Sequence, residues 1–463
     1  MEKENTLMND IISLCKRRGF IYQGSEIYGG LAGTWDYGPL GVALKKNIEN
    51  LWWKRFVSDR EDMYGIDAAI LMNPKAWESS GHVATFADPL HEDIKTKKRY
   101  RADHLLEAAG FDVKGMTDAE MDALVREEKI LSPDGNQLGP IVRFNMMFKA
   151  NIGATEDEAS VVYLRPETAG GMFVNFKNVV DSFHPKLPFG LAQIGKAFRN
   201  EIAPRDFIFR VRELEQMEIE YFVRPDEWKE HFDLFLKEQN AFLAELGLNP
   251  SHVHTVDVPA ADRAHYSKHS VDTEFDFPFG QKELLGLAYR TDFDLTAHAK
   301  GSGQELAYRE EGKEPLVPHV IEPTFGVGRL ILAVLSDAYT TDDLGGEKRT
   351  YLALKPSLAP IKVAVFPLLK NKPELVEKAR GVYTSLKKEF GAVVFDDNGN
   401  VGKRYRRQDE IGTPFCITVD FDTLGESGEE MKDTVTWRSR DTGQQERVGI
   451  ADLAAKLQAA LRA

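Results

Sequence analysis

One segment of this 463-residue chain limits its possible folds more than any other, because two strand-like runs flank a polar loop rich in arginine. It spans residues 191–222 and reads LAQIGKAFRNEIAPRDFIFRVRELEQMEIEYF. Alternation along a strand puts Arg199 and Glu201 on one face. In the second run, alternation separates two sets of side chains: Leu214, Gln216, Glu218 and Glu220, and Met217, Ile219 and Tyr221. The segment predicts an antiparallel hairpin with one strongly charged surface.

The charged surface of this hairpin has two interpretations. Charges on a sheet face are costly unless ion pairs or a ligand satisfy them. For an isolated hairpin, ordinary surface ion pairs are the simpler explanation. The alternative is a nucleotide site, in which arginine holds a phosphate, glutamate accepts from an adenine amino group and an apolar side chain covers the base. The hairpin alone leaves both interpretations open.

Composition limits the class of protein. The chain is too long for one ordinary core, and its 42% hydrophobic and 29% charged residues are typical of a soluble globular protein. No run approaches the ~18 apolar residues of a membrane span, and the first residues lack a secretory signal pattern. Two cysteines, Cys15 and Cys416, are too few for a disulfide framework or an all-cysteine metal site. We therefore expect a cytoplasmic protein that does not contact membranes.

The net charge of -14 argues against broad nucleic-acid binding but leaves room for a local basic patch. Along the chain, a helix is expected from about Thr6 to Arg18, and Pro39 occupies the first turn of a second helix. Strand, helix, strand and strand patterns follow a change of composition near Lys355. The expected fold class is α+β: an antiparallel-sheet domain over residues 1–354, with an insertion at about 88–140, and an α/β domain over 355–463.

Three motifs in order carry a family resemblance. FRNE with its arginine-rich loop resembles motif 2 of class II aminoacyl-tRNA synthetases, and IEPTFGVGRL resembles motif 3. The stretch from YGGLAGTWDYGPLGVALKKNIENLWW to LMNPKAWESSGH resembles the motif 1 region, which supplies the dimer interface in that class. A single FRxE string is weak, whereas the ordered set is specific. The resemblance implies the class II catalytic fold.

Further strings are similar to the glycine–tRNA ligases of the homodimeric type: EIYGGLAGTWDYGPLG, RYRADHLLE, YLRPETAGGMFVNFKNV, RELEQMEIE and RTDFDL. GKRYRRQDEIGTPFCITVDFD and TVTWRSRDTGQQERV resemble the anticodon-binding domain of the glycine, threonine, proline and histidine enzymes. The resemblance covers essentially the whole chain. It implies a homodimer that activates glycine with ATP to glycyl-adenylate and transfers glycine to its cognate tRNA, tRNA(Gly).

The resemblance also implies an ATP site. Arg199 would hold the α-phosphate and the glycine carboxylate, Glu201 would read the adenine amino group, and Arg210 with Arg329 would hold the outer phosphates. The expected ATP-binding set is Arg199, Asn200, Glu201, Phe209, Arg210, Leu214, Glu283, Leu284, Gly326 and Arg329, with Arg199 and Arg329 as catalytic residues. Glu283 and Glu322 are the expected ligands of the Mg²⁺ that accompanies ATP.

Glycine itself offers only an ammonium, a carboxylate and two hydrogens, so its pocket must use charge and bulk. By resemblance, the glycine-binding residues are Arg101, Glu167, Glu218, Glu322 and Thr324. An editing domain is not needed, because larger amino acids are excluded sterically and none is smaller. For tRNA, the expected residues are Lys403, Arg404, Arg406 and Arg407, with Tyr405, Trp437 and Arg438 nearby to receive unstacked bases.

The chain departs from the family pattern in four places. Gly170 replaces a glutamine, Leu214 replaces a phenylalanine that stacks on adenine, and Gln281 with Lys282 replaces Trp-Gly. Two CxxC pairs found in the insertion of many relatives correspond here to Ile94, Lys97, Ser132 and Gly135. We therefore expect no zinc in the insertion.

Two alternatives remain at this stage. One is a related synthetase for threonine, proline or histidine, although the zinc-ligand set of the threonine enzyme is not recognisable in the sequence. The other is a non-catalytic relative that binds RNA or DNA as an accessory subunit. Such a subunit would be expected to lose the ATP-site arginines, yet Arg199, Arg210 and Arg329 are all present.

Overall fold

The structure is a computed structural model that describes residues 2–113, 115–154 and 160–462. Its helices are α1 Glu2–Arg18, α2 Pro39–Trp53, α3 Pro74–Ser79, α4 His82–Thr85, α5 Ala102–Ala108, α6 Asp118–Glu127, α7 Ala169–Phe183, α8 Trp228–Leu246, α9 Phe293–Ser302, α10 Val327–Ala338, α11 Pro373–Phe390, α12 Val401–Glu410 and α13 Leu453–Arg462. The predicted first helix is therefore present, with an additional turn before Thr6.

The strands of the first half of the chain are β1 Ile21–Gln23, β2 Trp35–Tyr37, β3 Met63–Gly65, β4 Ala87–Glu92, β5 Arg99–Arg101, β6 Val142–Asn145, β7 Lys149–Asn151, β8 Val161–Tyr163, β9 Phe189–Phe198 and β10 Glu213–Val223. Those of the second half are β11 Val253–Asp257, β12 His269–Phe277, β13 Gly280–Thr291, β14 His319–Gly326, β15 Tyr339–Leu344, β16 Glu347–Leu352, β17 Val363–Pro367, β18 Val393–Phe395, β19 Phe415–Val419, β20 Thr434–Ser439 and β21 Gln445–Gly449.

The central sheet has the order β11-β12-β13-β14-β10-β9-β3 and is antiparallel except where β3 runs alongside β9. The charged segment forms the predicted hairpin, because β9 and β10 pair in antiparallel register from Phe198 opposite Glu213 onward. This sheet and the α/β unit that follows it confirm the α+β class.

The two faces of the central sheet are covered to different extents. One face carries Met217, Ile219 and Tyr221 into the main core, where α2, α8 and α10 pack. On the other face α7 covers the end near Phe222 and Val320 with phenylalanine side chains. The remainder of that second face is left open and forms the floor of a cleft. The alternation predicted from the sequence therefore decides which side chains reach the cleft.

The insertion adds a small sheet of order β5-β4-β6 to one side of the cleft. It also contains α5 and α6 and a small core around Leu106, Met121 and Val125. Helix α6 begins with a capping box, in which Thr117 and Glu120 exchange side-chain and backbone hydrogen bonds. The sheet brings Arg101, the last residue of β5, to the cleft.

The C-terminal sheet has the order β18-β17-β19-β20-β21 and mixes parallel and antiparallel pairs. Helices α11 and α13 pack on one face, and α12 packs on the other through Val401 and Tyr405. The elements α12, β20 and β21 were not predicted as such from the sequence. Within the described residues, no helix has the length and apolar character needed to cross a membrane.

Candidate active site

The cleft above the central sheet consists of two adjoining cavities, of which the first contains most of the arginines and the second is mainly acidic. The first, here called the cationic cavity, has a volume of about 330 Å³. Its walls come from the hairpin and its loop, from β13, from the first turn of α10 and from the insertion. The side chains expected to contact ATP that line it are Arg199, Glu201, Phe209, Arg210, Leu214, Glu283, Leu284, Gly326 and Arg329. Asn200 does not line this cavity.

Arg199 and Glu201 lie just beyond the end of β9. The Nε atom of Arg199 donates a hydrogen bond to the backbone oxygen of Pro166 at 3.1 Å, and its guanidinium lies over the ring of Phe86. Glu201 is buried, and its Oε2 atom has no hydrogen-bond partner among the described residues. A buried acceptor without a donor is rare in folded proteins, so this atom is available for a ligand donor.

Arg329, on α10, contacts Phe209 in the loop between β9 and β10 and Glu283 on β13. Its Nη1 atom lies 3.0 Å from Oε2 of Glu283, and its guanidinium lies 4.4 Å from the ring centre of Phe209. This ion pair holds the pKa of Glu283 below its usual value. Helix α10 can approach the hairpin loop closely because Gly328 has no side chain, and a Cβ atom there would lie 2.8 Å from the backbone oxygen of Ile208.

The second cavity, here called the acidic cavity, has a volume of about 250 Å³ and shares Arg199, Gln216, Glu283 and Thr324 with the first. It is lined by Glu167, Glu218, Glu322 and Thr324, all expected to contact glycine, and by Tyr266 and Asp272. The lining of the cleft thus changes from nearly balanced, with five basic and four acidic side chains, to mainly acidic, with six acidic and two basic side chains.

Glu218 is held on both of its oxygens. Its Oε2 atom accepts from the backbone amide of Thr168 at 3.1 Å and from the Thr168 hydroxyl, and its Oε1 atom accepts from Thr324 Oγ1 at 3.0 Å. Burial raises the pKa of Glu218, and the neighbouring charge of Glu167 adds to that effect. These donors fix the carboxylate in position before any ligand arrives.

Glu167 is buried beside a histidine and an arginine. Its Oε2 atom lies 3.3 Å from Nε2 of His82, and its Oε1 atom lies 4.0 Å from Nη2 of Arg290. Burial alone would raise the pKa of Glu167, but His82 and Arg290 outweigh burial and lower it to about 2. Glu167 is therefore a carboxylate at neutral pH.

Arg290 organises the back wall of the acidic cavity, and the sequence did not assign it a role. Its Nε and Nη2 atoms donate to Asp294 at 2.8 Å each, and its Nη1 atom donates to Glu322 at 2.6 Å. The ring of Tyr266 covers it at 3.6 Å. The string RTDFDL contained the signal, because arginine and aspartate four residues apart are spaced for an ion pair at the start of a helix.

Three predicted site residues lie in different surroundings from those expected. Arg101 lines the cationic cavity and not the acidic one, and Asp88 and Asp103 hold its guanidinium. The assignment of Arg101 to glycine stays a prediction, since the side chain is here placed beside the residues expected to contact ATP. Asn200 donates its backbone amide to the backbone oxygen of Met146 and does not line the cationic cavity, and its contact with ATP stays a prediction.

Glu322 is the third of these residues. Its side chain is buried and paired with Arg290, so the environment favours an ion pair over a magnesium ligand. We therefore withdraw it as a metal ligand while keeping it in the glycine set. Within the described ranges, no group of three or more histidine, cysteine, aspartate or glutamate side chains is arranged to hold a metal ion.

The predicted tRNA-binding cluster is split by the fold. Lys403 is exposed, and Arg406 and Arg407 on the same helix, α12, are about one-third exposed. Arg404 instead points inward and donates to the backbone oxygens of Pro367, Asp397 and Gly399. Its contact with RNA stays a prediction, since in this structure all of these bonds belong to the domain's own core.

The tryptophan and the arginine that were expected near that cluster are also buried. Trp437 is buried against Phe415, and Arg438 makes two hydrogen bonds to Asp409, which is fully buried. The sequence alone did not show whether Trp437 is buried or exposed. A tryptophan next to an arginine is equally compatible with a surface that stacks on RNA bases. The interpretation of Trp437 as a base-stacking residue is therefore wrong.

Comparison with known proteins agrees with this geometry. Residues 148–338 match a family model described as the tRNA synthetase class II core domain (G, H, P, S and T), and residues 362–460 match one described as the anticodon binding domain. Glycine–tRNA ligase from Deinococcus radiodurans is 48% identical, with 99% of each chain covered. The enzyme of the same name from Thermus thermophilus is 48% identical over 96% of this chain and 97% of its own. That from Geobacillus thermodenitrificans is 48% identical over 99% of both chains.

Proposed function

The chain belongs to the glycine–tRNA ligase family, and on that premise we propose how its residues divide the work of the reaction. A ligase of this family activates glycine with ATP and transfers the glycyl group to tRNA. The alternatives of a threonine, proline or histidine enzyme and of a non-catalytic subunit are thereby set aside. Our proposal rests on one observation, which is that the cationic and acidic cavities meet at Arg199.

The cationic cavity is the proposed ATP site. Arg199, Arg210 and Arg329 supply positive charge for the phosphates, and the buried, unpartnered Oε2 of Glu201 is an acceptor for the adenine amino group. In the reaction, the glycine carboxylate attacks the α-phosphorus and diphosphate leaves. Arg199, at the junction, would offset the negative charge that develops on the α-phosphate, because it also borders the glycine pocket.

The acidic cavity is the proposed glycine site. Glu167 and Glu218 face it from different segments, and two carboxylates around one ammonium offset the cost of removing that cation from water. Thr324 and Tyr266 add bulk beside them. A larger amino acid would therefore meet side chains where glycine has only hydrogens, which supports selection by size.

Magnesium is proposed to enter with ATP. Glu283 is the remaining candidate ligand: its side chain is about half exposed at the border of both cavities, although Arg329 pairs with it. A bound magnesium ion would supply positive charge to the phosphates. No further step is assigned to it.

The proposed RNA-binding surface consists of Lys403, Arg406 and Arg407 on α12. Arg406 pairs with Glu347 and Arg407 with Asp396, so both would exchange a protein partner for phosphate on binding. We also propose the cytoplasm as the working compartment, which agrees with two buried free cysteines, Cys15 and Cys416.

A homodimer is proposed through the segment before α2. Ile27 and Tyr28 are 89% and 87% exposed, and Leu31 and Val42 add further exposed apolar surface. Apolar side chains this exposed and this close in sequence are typical of a protein contact. Sedimentation should give a dimer, and Ile27→Glu combined with Tyr28→Glu should shift it toward the monomer. A monomeric wild-type protein at micromolar concentration would contradict the proposal.

The central test is glycine-dependent exchange of diphosphate into ATP without tRNA. We expect exchange with glycine and with no other amino acid, because the bulk of Thr324 and Tyr266 would exclude substrates with larger side chains. Exchange driven by another amino acid, or none at all, would overturn the proposed division of the cleft. As a separate test of α12, Lys403→Glu with Arg406→Glu should reduce tRNA charging while leaving the exchange reaction unchanged.

A further inference from the structure

Glu220 is a buried acidic residue to which the proposed mechanism gives no role. It lies on β10, two residues after Glu218, and has no exposed surface. Neither of its carboxyl oxygens accepts a hydrogen bond from a donor among the described residues. Two unpartnered oxygens on one buried carboxyl group are unusual, since buried polar atoms in folded proteins are nearly always paired.

The sheet register places Glu220 across from Glu322. Glu218 is opposite Thr324 and Tyr221 is opposite Ile321, so the intervening positions bring Glu220 and Glu322 together. Side chains at directly opposite positions share a face and have Cβ atoms about 5 Å apart. Glu322 is a wall of the acidic cavity. Glu220 is therefore the direct cross-strand neighbour of a side chain that lines the proposed glycine pocket.

The groups around Glu220 are mostly negative. Glu218 is on the same strand, Glu322 on β14 and Asp294 on α9, and the cation facing this group is Arg290 on β13. The donors of Arg290 already go to Asp294 and Glu322. On the remaining sides the neighbours are apolar: β9 places Leu191 opposite Glu220, and α7 places phenylalanine rings against Phe222.

An ionised carboxylate is strongly disfavoured in such a place, because it has neither water nor a donor. Burial raises the pKa of Glu220 well above its usual value, and the charge of Glu322 raises it further. A carboxyl group that keeps its proton has one O–H donor and needs an acceptor. The acceptor opposite it is the carboxylate of Glu322.

We propose that Glu220 works as a neutral carboxylic acid that positions Glu322 in the glycine pocket by donating a hydrogen bond to it. Glu322 is then held from two sides, by Arg290 and by Glu220. This inference rests on the proposed glycine site. It makes Glu220 a positioning residue, because it acts on glycine through Glu322 and does not touch the substrate.

The test compares an amide and two apolar replacements at this position. Glu220→Gln keeps a donor of similar length, whereas Glu220→Leu and Glu220→Met remove it. We expect the apolar variants to raise the KM for glycine about ten-fold, since a hydrogen bond to a charged group is lost. Their KM for ATP should stay near the wild-type value, and Glu220→Gln should restore the KM for glycine toward wild type.

Thermal unfolding separates this role from a structural one. An apolar side chain is well tolerated among Leu191 and the α7 phenylalanines, so the Leu or Met variant should melt no lower than the wild type while binding glycine less tightly. Unchanged glycine KM in both apolar variants would overturn the inference, and so would a Gln variant as weak as they are. If the glycine site itself were misassigned, Glu218→Gln would also leave glycine binding intact.

Discussion

The Oε2 atom of Glu167 lies 3.3 Å from Nε2 of His82, and both side chains are buried in the wall of the acidic cavity. The two residues are 85 positions apart in sequence and come from the RPET and SSGH strings. Their contact keeps Glu167 ionised where an isolated buried carboxyl group would retain its proton. The proposed ammonium site needs that charge, so on our proposal the pair connects the folding of the motif 1 region to substrate binding.

Acid should weaken the contribution of Glu167 to stability. Its pKa is lowered to about 2 in the folded protein and is near 4.3 in an unfolded chain. A lowered folded pKa adds stability that is complete above the unfolded value and is lost as the pH falls toward 2. We therefore expect the difference in unfolding free energy between wild type and Glu167→Gln to be largest at neutral pH and to shrink below about pH 4. Urea unfolding from pH 3 to 7 measures it, and a difference that is constant with pH would contradict the prediction.

Glu218→Gln should weaken glycine binding about ten- to a hundred-fold, because it replaces a charge-assisted hydrogen bond to the ammonium with a neutral one. ATP binding without glycine should barely change, since Glu218 lines only the acidic cavity. Calorimetry with each ligand tests both statements. Glu245→Gln, at a side chain 45% exposed on α8, is the control. Intact glycine affinity with damaged ATP binding would reverse our assignment of the two cavities.

Leu214→Phe should tighten ATP binding modestly. Leu214 lines the cationic cavity, and an aromatic ring against adenine should add roughly 1 kcal/mol over aliphatic packing. Glycine affinity should stay close to its wild-type value. The dissociation constant of ATP decides the question, and unchanged or weaker binding would show that the pocket is fitted to leucine.

Gly170 is expected to tolerate no side chain. A Cβ atom at this position of α7 would lie 2.9 Å from two ring carbons of Trp77, which is itself buried. Gly170→Ala should therefore destabilise the protein by about 1 to 3 kcal/mol. Gly381→Ala, in the middle of α11 with nothing within 4 Å of the added atom, should instead stabilise it by up to about 1 kcal/mol. Thermal melting of the two variants checks both signs. An unaffected Gly170→Ala protein would mean that Trp77 moves freely.

Asp93 is expected to stabilise the turns where many relatives carry CxxC pairs. It is buried, and it accepts from the backbone amides of Lys95 and Thr96 at 2.8 Å, from Ser132 Oγ and from Asn136 Nδ2. Asp93→Ala should cost about 2 kcal/mol or more, because it leaves several donors unpaired. Asp134→Ala, at a more exposed ion pair with Lys98, should cost less than about 1 kcal/mol.

The same turns should hold no zinc. Metal analysis of chelator-washed protein should find none bound, and the chelator should leave the melting temperature unchanged. About one bound zinc ion per chain would contradict this prediction. Magnesium should still be required for activity, because it is expected to enter with ATP.

The sequence by itself determined the features that depend on the order of residues within one segment. Alternation along residues 213–223 fixed which side chains of β10 face the cleft and which enter the core. The proline of α2, the periodicity of α11 and the three motifs in order were sufficient for the α+β class and for the family. Most of the residues that the motifs selected line the two cavities, because each motif keeps its charged side chains on one strand or one helical turn.

Tertiary structure decided which charges are available to a ligand. Arg404 and Arg406 are two residues apart in one basic cluster, yet Arg404 is buried on backbone oxygens and Arg406 reaches the surface. Arg290, His82 and Glu167 come from three separate segments, and only their meeting in the cleft gives Arg290 its role and Glu167 its charge. The physical reason is that burial and pairing depend on neighbours distant in sequence, whereas periodicity specifies only the direction in which a side chain leaves its own strand or helix.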